Sequence, residues 1–149
     1  MKPFAVAAVL GFVTLAFSYT TTYVVSYDTI YDHGHSSLEN VACSTGEYGL
    51  LTEGYTTFDS LPTFPYIGSS PQIMSWNSPY CGTCWRVTYT DSQGVSTSLN
   101  ITVIDTGDHD HDGFRISLEG MNHLTQGHAK NLGKAPITAA RIPKSSCGL

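Results

Sequence analysis

The largest group of side chains able to bind a metal ion lies in residues 105–119, DTGDHDHDGFRISLE. Three aspartates alternate there: Asp108, Asp110 and Asp112. With Glu119 closing the frame, they match the twelve-residue spacing of a calcium-binding EF-hand loop, and His109 and His111 are suited to a transition metal. An EF-hand loop lies between two helices, whereas the residues before this loop alternate like a strand and no second hand follows. We therefore expect a solvated acidic loop, with the three aspartates as weak calcium candidates.

A different carboxylate, Asp105, ends an apolar run and precedes a Thr-Gly turn. At the rim of a barrel such a group can accept hydrogen bonds from sugar hydroxyls or act as a general acid, but it can equally cap its own turn. Trp76 lies in a segment that prolines interrupt, so it is a candidate for stacking on a sugar ring at the surface. Trp85 lies on the apolar side of a strand pattern and is expected in the core.

Other aromatic and imidazole side chains carry weaker signals. Six tyrosines are further stacking candidates: Tyr27, Tyr31, Tyr48, Tyr55, Tyr66 and Tyr80. Four histidines outside the acidic loop have no metal-ligand spacing and are interpreted as surface residues: His33, His35, His123 and His128. The sequence also lacks a GxSxG motif, so it offers no nucleophile elbow for a serine hydrolase.

Four cysteines are present, at Cys43, Cys81, Cys84 and Cys147. In an oxidising compartment this even number predicts two disulfides, and four cysteines allow three pairings. The CGTC motif would suggest a redox centre if a helix followed it. Residues 85–90, WRVTYT, instead alternate between apolar and polar side chains like a strand, so we expect each cysteine of the motif to pair with a distant partner.

Alternation of apolar and polar residues also predicts the elements that must position these groups. Residues 95–103 give the strongest strand pattern, and together with residues 85–90 they form a predicted β-hairpin. The other predicted elements are a first strand entering a loop within 24–32, an irregular segment at 55–80, short helices at 117–124 and 128–132, and a closing strand at 137–143. Asn100 begins an Asn-Ile-Thr sequon on the polar face of the hairpin and is a glycosylation candidate. The chain is therefore predicted to be mainly β, one small barrel with short helices.

Residues 1–18, MKPFAVAAVLGFVTLAFS, carry one lysine, then an apolar run, then small residues, which is the pattern of a secretory signal peptide. The run is too short to span a bilayer comfortably, so no membrane span is predicted. Residues 19–149 would then form a single secreted domain. The chain has a formal net charge of −5, which argues against nucleic acid or an anionic membrane surface as its partner.

Six short motifs are spread over residues 19–149: VSYD at 25–28, VACS at 41–44, GL at 49–50, PTF at 62–64, CGTCW at 81–85 and the late Cys147. With these motifs the sequence resembles the cerato-platanin family of small secreted fungal proteins. The resemblance implies a six-stranded double-psi β-barrel related to the expansin barrel, with disulfides Cys43–Cys81 and Cys84–Cys147. It also implies a secreted, extracellular or cell-wall-associated protein that binds chitin or N-acetylglucosamine oligomers and loosens cellulose without hydrolysing it. The resemblance further implies that the protein assembles with itself at interfaces and that it elicits host defence through a host surface receptor.

The same resemblance implies which residues bind the sugar. Asp105 matches the family's aspartate after a strand, and four further positions match its groove and its CGTC turn: Tyr27, Asp28, Gly82 and Thr83. Trp76 joins this carbohydrate-binding set because of its expected exposure. The DHDHD stretch departs from the family pattern, since it is longer and more acidic and is followed by Arg115 where an asparagine is common. That asparagine contact is therefore not carried over.

The leading hypothesis is a secreted, non-catalytic polysaccharide-binding protein without a cofactor, whose partners are chitin or cellulose. The first alternative is an endoglucanase-like glycoside hydrolase on a related barrel. It needs a second carboxylate, for which Asp28, Asp32 and the 108–112 cluster are available. The second alternative is a calcium-binding interaction protein that uses the loop from Asp108 to Glu119. Calcium uptake that raises thermal stability would support this last hypothesis.

Overall fold

The computed structural model describes residues 21–108, 110 and 113–149. The predicted signal peptide, residues 1–18, lies outside the described residues, and so do His109, His111 and Asp112 of the acidic loop. Within the described ranges, no helix is both long and apolar enough to cross a membrane.

Six strands are formed: β1 Thr21–Tyr27, β2 Ile67–Ser70, β3 Cys84–Thr90, β4 Ser96–Thr106, β5 Gly113–Ile116 and β6 Lys134–Ile142. They close into a barrel in the order β1-β5-β2-β4-β3-β6. β1 runs parallel to β5 and β2 runs parallel to β4, while the remaining neighbours are antiparallel. The predicted mainly β fold, a six-stranded double-psi barrel with short helices and two disulfides, is confirmed.

The β3–β4 hairpin forms where the alternation predicted it. In β3 the side chain of Trp85 is buried and that of its neighbour Arg86 is exposed. Asp91 holds the turn, because its Oδ1 accepts hydrogen bonds from the backbone N–H groups of Gln93 (2.8 Å) and Val95 (2.9 Å). An aspartate that bonds its own turn in this way fixes the register of the two strands.

Three aromatic rings pack edge to face in the barrel interior. The centroid of the Phe114 ring lies 5.1 Å from that of Tyr23 and 5.4 Å from that of Trp85. Edge-to-face contacts of this kind add about 0.5–1.5 kcal/mol each beyond the burial of area. Trp85 is only 6% exposed, which confirms its predicted place in the core.

Two short helices follow β5: α1 Leu118–Thr125 and α2 Ala129–Leu132. Ser117 caps α1, since its Oγ accepts a hydrogen bond from the backbone N–H of Gly120 (3.0 Å). α1 ends at Gln126, whose backbone is left-handed with a φ of +53°. Both predicted helices are confirmed to within a residue at each end.

β2 is the element that the sequence patterning missed, because it lies inside the segment 55–80 that was predicted to be irregular. All of its residues, IGSS, are buried, so no alternation marks the strand, and Pro65 and Pro71 flank it. β2 lies between β5 and β4, where backbones approach closely. A Cβ atom on Gly68 would overlap the carbonyl group of Arg115, so only glycine fits at that position.

The bounds of three strands differ from the predicted ones: β1, β6, and β4, which runs on to Thr106 instead of ending at residue 103. β1 ends at Tyr27 because Asp28 starts a 3-10 turn, Thr29–Asp32, by accepting a hydrogen bond from the backbone of the turn. β6 begins at Lys134 rather than at residue 137. Pro136 hides this start in the sequence, since proline is rare inside strands, yet here it pairs with β1 as part of β6.

The disulfides join Cys43 to Cys81 and Cys84 to Cys147, which confirms the pairing implied by the family resemblance. The two cysteines of the CGTC motif therefore bridge to distant partners, as their strand context predicted. The sequence separations are 38 and 63 residues. In the chain-entropy model, closing loops of this size stabilises the fold by about 4 kcal/mol each.

Candidate functional site

A row of polar residues crosses the outer face of four neighbouring strands. Ser26 of β1 lies beside Arg115 of β5. Ser69 of β2 lies between Arg115 and Asp105 of β4. Residues paired across a sheet project to the same face, and Arg115 is exposed, so the row lies on the outer face of the barrel, where Ser69 is covered and only 1% exposed. We call these four residues the Asp105 row.

A β-bulge turns Asp105 towards this row. β2 and β4 pair Gly68 with Val103 and then Ser69 with Asp105, so the bulge skips Ile104. Val103 and Ile104 are consecutive and both fully buried. If Ile104 instead took a regular place in the ladder, alternation would place Asp105 on the same face as Val103, towards the barrel interior. The bulge thus re-aims the carboxylate to the surface, which is a common use of bulges near functional sites.

Asp105 uses one carboxylate oxygen to support the fold. Oδ1 accepts hydrogen bonds from the backbone N–H groups of Thr106 (2.8 Å) and Ala42 (3.0 Å), which anchors the loop around Ala42 to β4. Within the described part of the chain, no residue donates a hydrogen bond to Oδ2. A carboxylate has about four acceptor sites, so Oδ2 can accept hydrogen bonds from a ligand. Both predicted roles of Asp105, the turn cap and the sugar contact, therefore fit its geometry.

Tyr31 lies over the Asp105 row and is only 5% exposed. Burial raises the pKa of the Tyr31 hydroxyl far above its ordinary value, and the negative charge of Asp105 raises this pKa further. A side-chain hydrogen bond with Ser69 partly offsets the rise, Asp28 adds to it, and Arg115 opposes it. These four side chains therefore surround one neutral hydroxyl group, which brings Asp28 to the same site as the row.

Tyr27 and Asp28 stand at the end of β1 next to the row. Tyr27 is half-buried and pairs with Ile116 of β5. The backbone N–H of Asp28 donates to the Ile116 carbonyl (2.9 Å), and its carboxylate accepts a hydrogen bond from the N–H of Ile30 (3.0 Å). The structure thus brings Asp28 and Asp105 to one site, whereas Tyr27 pairs with buried Ile116 on the face of β1 opposite to that of Ser26.

Asp32, one of the candidates for a second catalytic carboxylate, is engaged in the fold. Its Oδ2 accepts a hydrogen bond from the backbone N–H of Leu118 (2.8 Å), and its Oδ1 accepts one from that of Glu119 (3.0 Å). Both oxygens thus satisfy the free N–H groups at the start of α1, where the helix dipole also favours a negative charge. Asp32 is a helix cap, and this role ties the 3-10 turn that carries Tyr31 to α1.

Trp76 lies in an exposed apolar patch on the loops beside Asp105. Its side chain is 58% exposed, as predicted, and Met74 (68%) and Tyr48 (39%) are exposed in the same loops. The backbone N–H of Tyr48 donates to Oδ1 of Asn77 (3.0 Å), which joins the two loops. The N–H of Asn77 in turn donates to the carbonyl of Ala42 (3.4 Å), the residue that Asp105 anchors. We call Tyr48, Met74 and Trp76 the Trp76 patch.

Gly82 and Thr83 support β4 and contact Val103 rather than Asp105. The N–H of Gly82 donates to the Val103 carbonyl (3.0 Å), and the N–H of Val103 donates to the Thr83 carbonyl (3.1 Å). The Thr83 hydroxyl donates to the Tyr80 carbonyl (2.7 Å) and accepts from Nε1 of Trp85 (3.0 Å). The hydroxyl is therefore occupied by the fold, and these two residues position the strand that bears Asp105.

Sequence reasoning missed Ser69 and Met74, and it named Tyr31 only as one tyrosine among several. Ser69 belongs to β2, which no pattern marked, so its place beside Asp105 had no signal in the sequence. Tyr31 follows Asp28 at a spacing of one 3-10 turn, and that spacing is a signal only once the turn is recognised.

The acidic loop connects two strands, β4 and β5, instead of two helices. Asp108 pairs with Gly113 through two backbone hydrogen bonds, and its Oδ1 accepts one from the N–H of Asp110 (3.2 Å). Glu119 lies in the first turn of α1. No group of three or more His, Cys, Asp or Glu side chains is placed to hold a metal ion within the described ranges, which do not include Asp112. Weak calcium binding stays a prediction.

The closed barrel, its two long-range disulfides and its surface carboxylate define a small double-psi barrel protein. A model of the cerato-platanin family matches residues 23–149, and the chain belongs to that family. It is 38% identical to the heat-stable 19 kDa antigen of Coccidioides immitis (strain RS) over an alignment of 143 residues. This alignment covers 96% of this chain and 92% of the antigen. It is also 40% identical to cerato-platanin of Ceratocystis fimbriata f. sp. platani over an alignment of 100 residues. This alignment covers 67% of this chain and 68% of that protein.

A solved structure agrees with this assignment. The crystal structure of cerato-platanin 2 from M. perniciosa has a TM-score of 0.80 and 39% sequence identity to this chain, over 87% of this chain and 100% of that one. Proteins of the family are secreted fungal proteins and are generally non-enzymatic.

Proposed function

We propose that this protein binds polysaccharide at the fungal cell wall without cleaving it, and that its ligand is chitin or its N-acetylglucosamine oligomers, with cellulose as the second candidate. The observation that carries the proposal is the placement of Asp105. A bulge turns its carboxylate outwards, and among the described residues none donates a hydrogen bond to Oδ2.

The Asp105 row and the Trp76 patch supply the two kinds of contact that a sugar needs. A pyranose ring has a C–H face that packs on aromatic rings and a rim of hydroxyl groups that must be hydrogen-bonded. Trp76 and Tyr48 offer exposed rings. Asp105 accepts hydrogen bonds from hydroxyls, and the exposed guanidinium of Arg115 donates them. The backbone of Ala42 connects the two surfaces, because its N–H donates to Asp105 and its carbonyl accepts from the N–H of Asn77 in the Trp76 loop.

The roles of the other carboxylates support binding rather than hydrolysis. An inverting glycosidase needs a second carboxylate about 6.5–9.5 Å from its acid to activate a water molecule. Asp32 uses both oxygens to cap α1, and Asp28 uses an oxygen to start its own turn. Asp32 could activate water only by giving up one of its two contacts with α1.

The experiment mixes the purified secreted form with insoluble chitin and with cellulose and measures protein depletion and released reducing sugar in the same tubes. The test variants are Asp105→Asn, which keeps Oδ1 as an acceptor, and Trp76→Ala. The matched control is Val95→Ala, which truncates a side chain that is 51% exposed at the hairpin turn, away from both surfaces.

We expect depletion on at least one polymer, no sugar release above a boiled sample, and weaker depletion for both test variants but not for the control. Steady sugar release that Asp105→Asn abolishes would instead establish the hydrolase alternative. Equal depletion by all variants would refute the proposed site. Assembly at hydrophobic surfaces and recognition by a host surface receptor stay predictions of the family resemblance.

A further inference from the structure

A cleft of about 460 Å³ lies between the β3–β4 turn and the corner where α1 meets α2. Its main lining residues are Tyr89, Asp91, Gln93, Gln126, His128 and Leu132. The volume falls within the range of small-molecule sites in proteins. The cleft is at the start of β4, whereas Asp105 is near its end, and the path along the strand between them is roughly 30 Å. We call it the Tyr89 cleft.

Several polar groups around the Tyr89 cleft form no hydrogen bond within the described residues, although the hydroxyl of Thr125, another lining residue, donates to the Met121 carbonyl (2.7 Å). Asp91 holds its turn through Oδ1 alone. None of the described residues forms a hydrogen bond with its Oδ2. The side-chain amides of Gln93 and Gln126 and the ring of His128 likewise form no hydrogen bond with any described residue. Planar carboxylate and amide groups can bond two neighbouring hydroxyl groups of one ligand at once, so these side chains suit a polyol.

One side of the cleft is apolar. Tyr89 is half-buried at the end of β3, and the side chain of Leu132 is 42% exposed at the end of α2. An aromatic ring beside planar polar groups is the combination that holds the C–H face and the hydroxyl rim of a pyranose. The lining residues include the carboxylate of Asp91 and no lysine or arginine, so the cleft disfavours an anionic ligand.

Gln126 is held in an unfavourable backbone conformation at the edge of the cleft. It ends α1 with a φ of +53°, a position at which glycine is the usual residue. Glycine follows it directly, at Gly127, so the chain already has the flexible residue for this turn. A non-glycine residue kept in left-handed backbone is often part of a functional site. Here it places an amide on the wall of the cleft.

We infer that the Tyr89 cleft is a second carbohydrate site, which binds one neutral pyranose unit of an oligosaccharide. This goes beyond the proposed function, because it gives the barrel two separate sites that can hold two different glycan chains. A domain with two such sites cross-links polymers and gains affinity for a surface through multivalency.

The test is an NMR titration of the folded protein with two soluble probes, the N-acetylglucosamine tetramer and cellotetraose, each taken to about 10 mM, at which a millimolar site is mostly filled. We expect at least one probe to shift the backbone amides of Gln93, Gln126 and His128 as one saturating set. Gln126→Gly removes the amide side chain in a backbone conformation that glycine favours, and it should weaken this set about fivefold. Lys130→Ala, an exposed position of α2 outside the cleft, is the matched control and should leave the set unchanged.

The Asp105 row reports separately, through the amides of Ala42 and Thr106. If the cleft amides still shift in Asp105→Asn, the second site is supported. If the cleft amides shift but the Ala42 and Thr106 amides do not move in the parent protein, the proposed function fails and the second site stands. The second site is overturned if neither probe shifts the cleft amides. It is also overturned if both Gln126→Gly and Leu132→Glu leave the cleft titration unchanged.

Discussion

Replacing Asp105 by alanine and by asparagine should separate its structural role from its role towards a ligand. Oδ1 accepts two backbone hydrogen bonds, from Thr106 at 2.8 Å and from Ala42 at 3.0 Å. A hydrogen bond to a charged group contributes about 1.5–3 kcal/mol net, and the bond from Thr106 is exposed and therefore weaker. Asp105→Ala loses both bonds and should lower the free energy of unfolding by about 3 kcal/mol. Asp105→Asn keeps a carbonyl oxygen in place and should cost about 1 kcal/mol.

Thermal unfolding followed by circular dichroism measures this difference. For a domain of this size, about 3 kcal/mol lowers the Tm by about 10 °C, whereas the asparagine variant should stay within a few degrees of the parent. Binding assays should therefore use Asp105→Asn, because loss of binding by Asp105→Ala would mix unfolding with loss of contact. An alanine variant as stable as the parent would show that the bonds from Ala42 and Thr106 do not hold the loop, and it would refute this reasoning.

Three further substitutions test individual contacts. Because the folded state holds the Tyr31 hydroxyl protonated while the unfolded state loses its proton near pH 10, stability should fall as the pH rises above about 10. Tyr31→Phe should abolish that part of the fall, and denaturant unfolding at a series of pH values detects it; an unchanged pH dependence would contradict the burial argument. Asp32→Ala removes the carboxylate that accepts from the first two N–H groups of α1 but leaves the Ser117 cap, and it should cost about 1–2 kcal/mol in thermal unfolding. Unchanged stability would show that these two bonds do not hold the helix. Gln126→Gly relieves the left-handed backbone and should raise stability by about 1 kcal/mol, and a loss of stability would show that the amide is needed by the fold.

Most of the framework could be predicted because it follows local rules. The hairpin is amphipathic with a period of two, α1 begins with a serine cap, and Gly133 stops α2. The disulfide pairing followed from the family resemblance, since four cysteines alone allow three pairings. The strand β2 could not be predicted by such rules, because it is short, buried on all sides and placed between prolines.

The candidate site could be predicted only in part, since it depends on contacts between distant segments. Asp105 was identifiable from its position after an apolar run. Its orientation was not, because the bulge that skips Ile104 exists only relative to β2. Tyr31 lies close to Ser69, a residue of the strand that the pattern missed, so its place could not be predicted either. Trp76 could be predicted to be exposed from its surroundings, but the loop contacts that join it to Asp105 through Ala42 could not.

The most direct test of the central claim is isothermal titration calorimetry of the parent protein and Asp105→Asn with the N-acetylglucosamine tetramer, at a temperature where both are folded. If Oδ2 of Asp105 accepts a hydrogen bond from the sugar, exchanging that oxygen for an amide nitrogen should weaken binding about tenfold or more. Equal affinity of the two proteins, or no binding by the parent to this tetramer or to cellotetraose, would contradict the account.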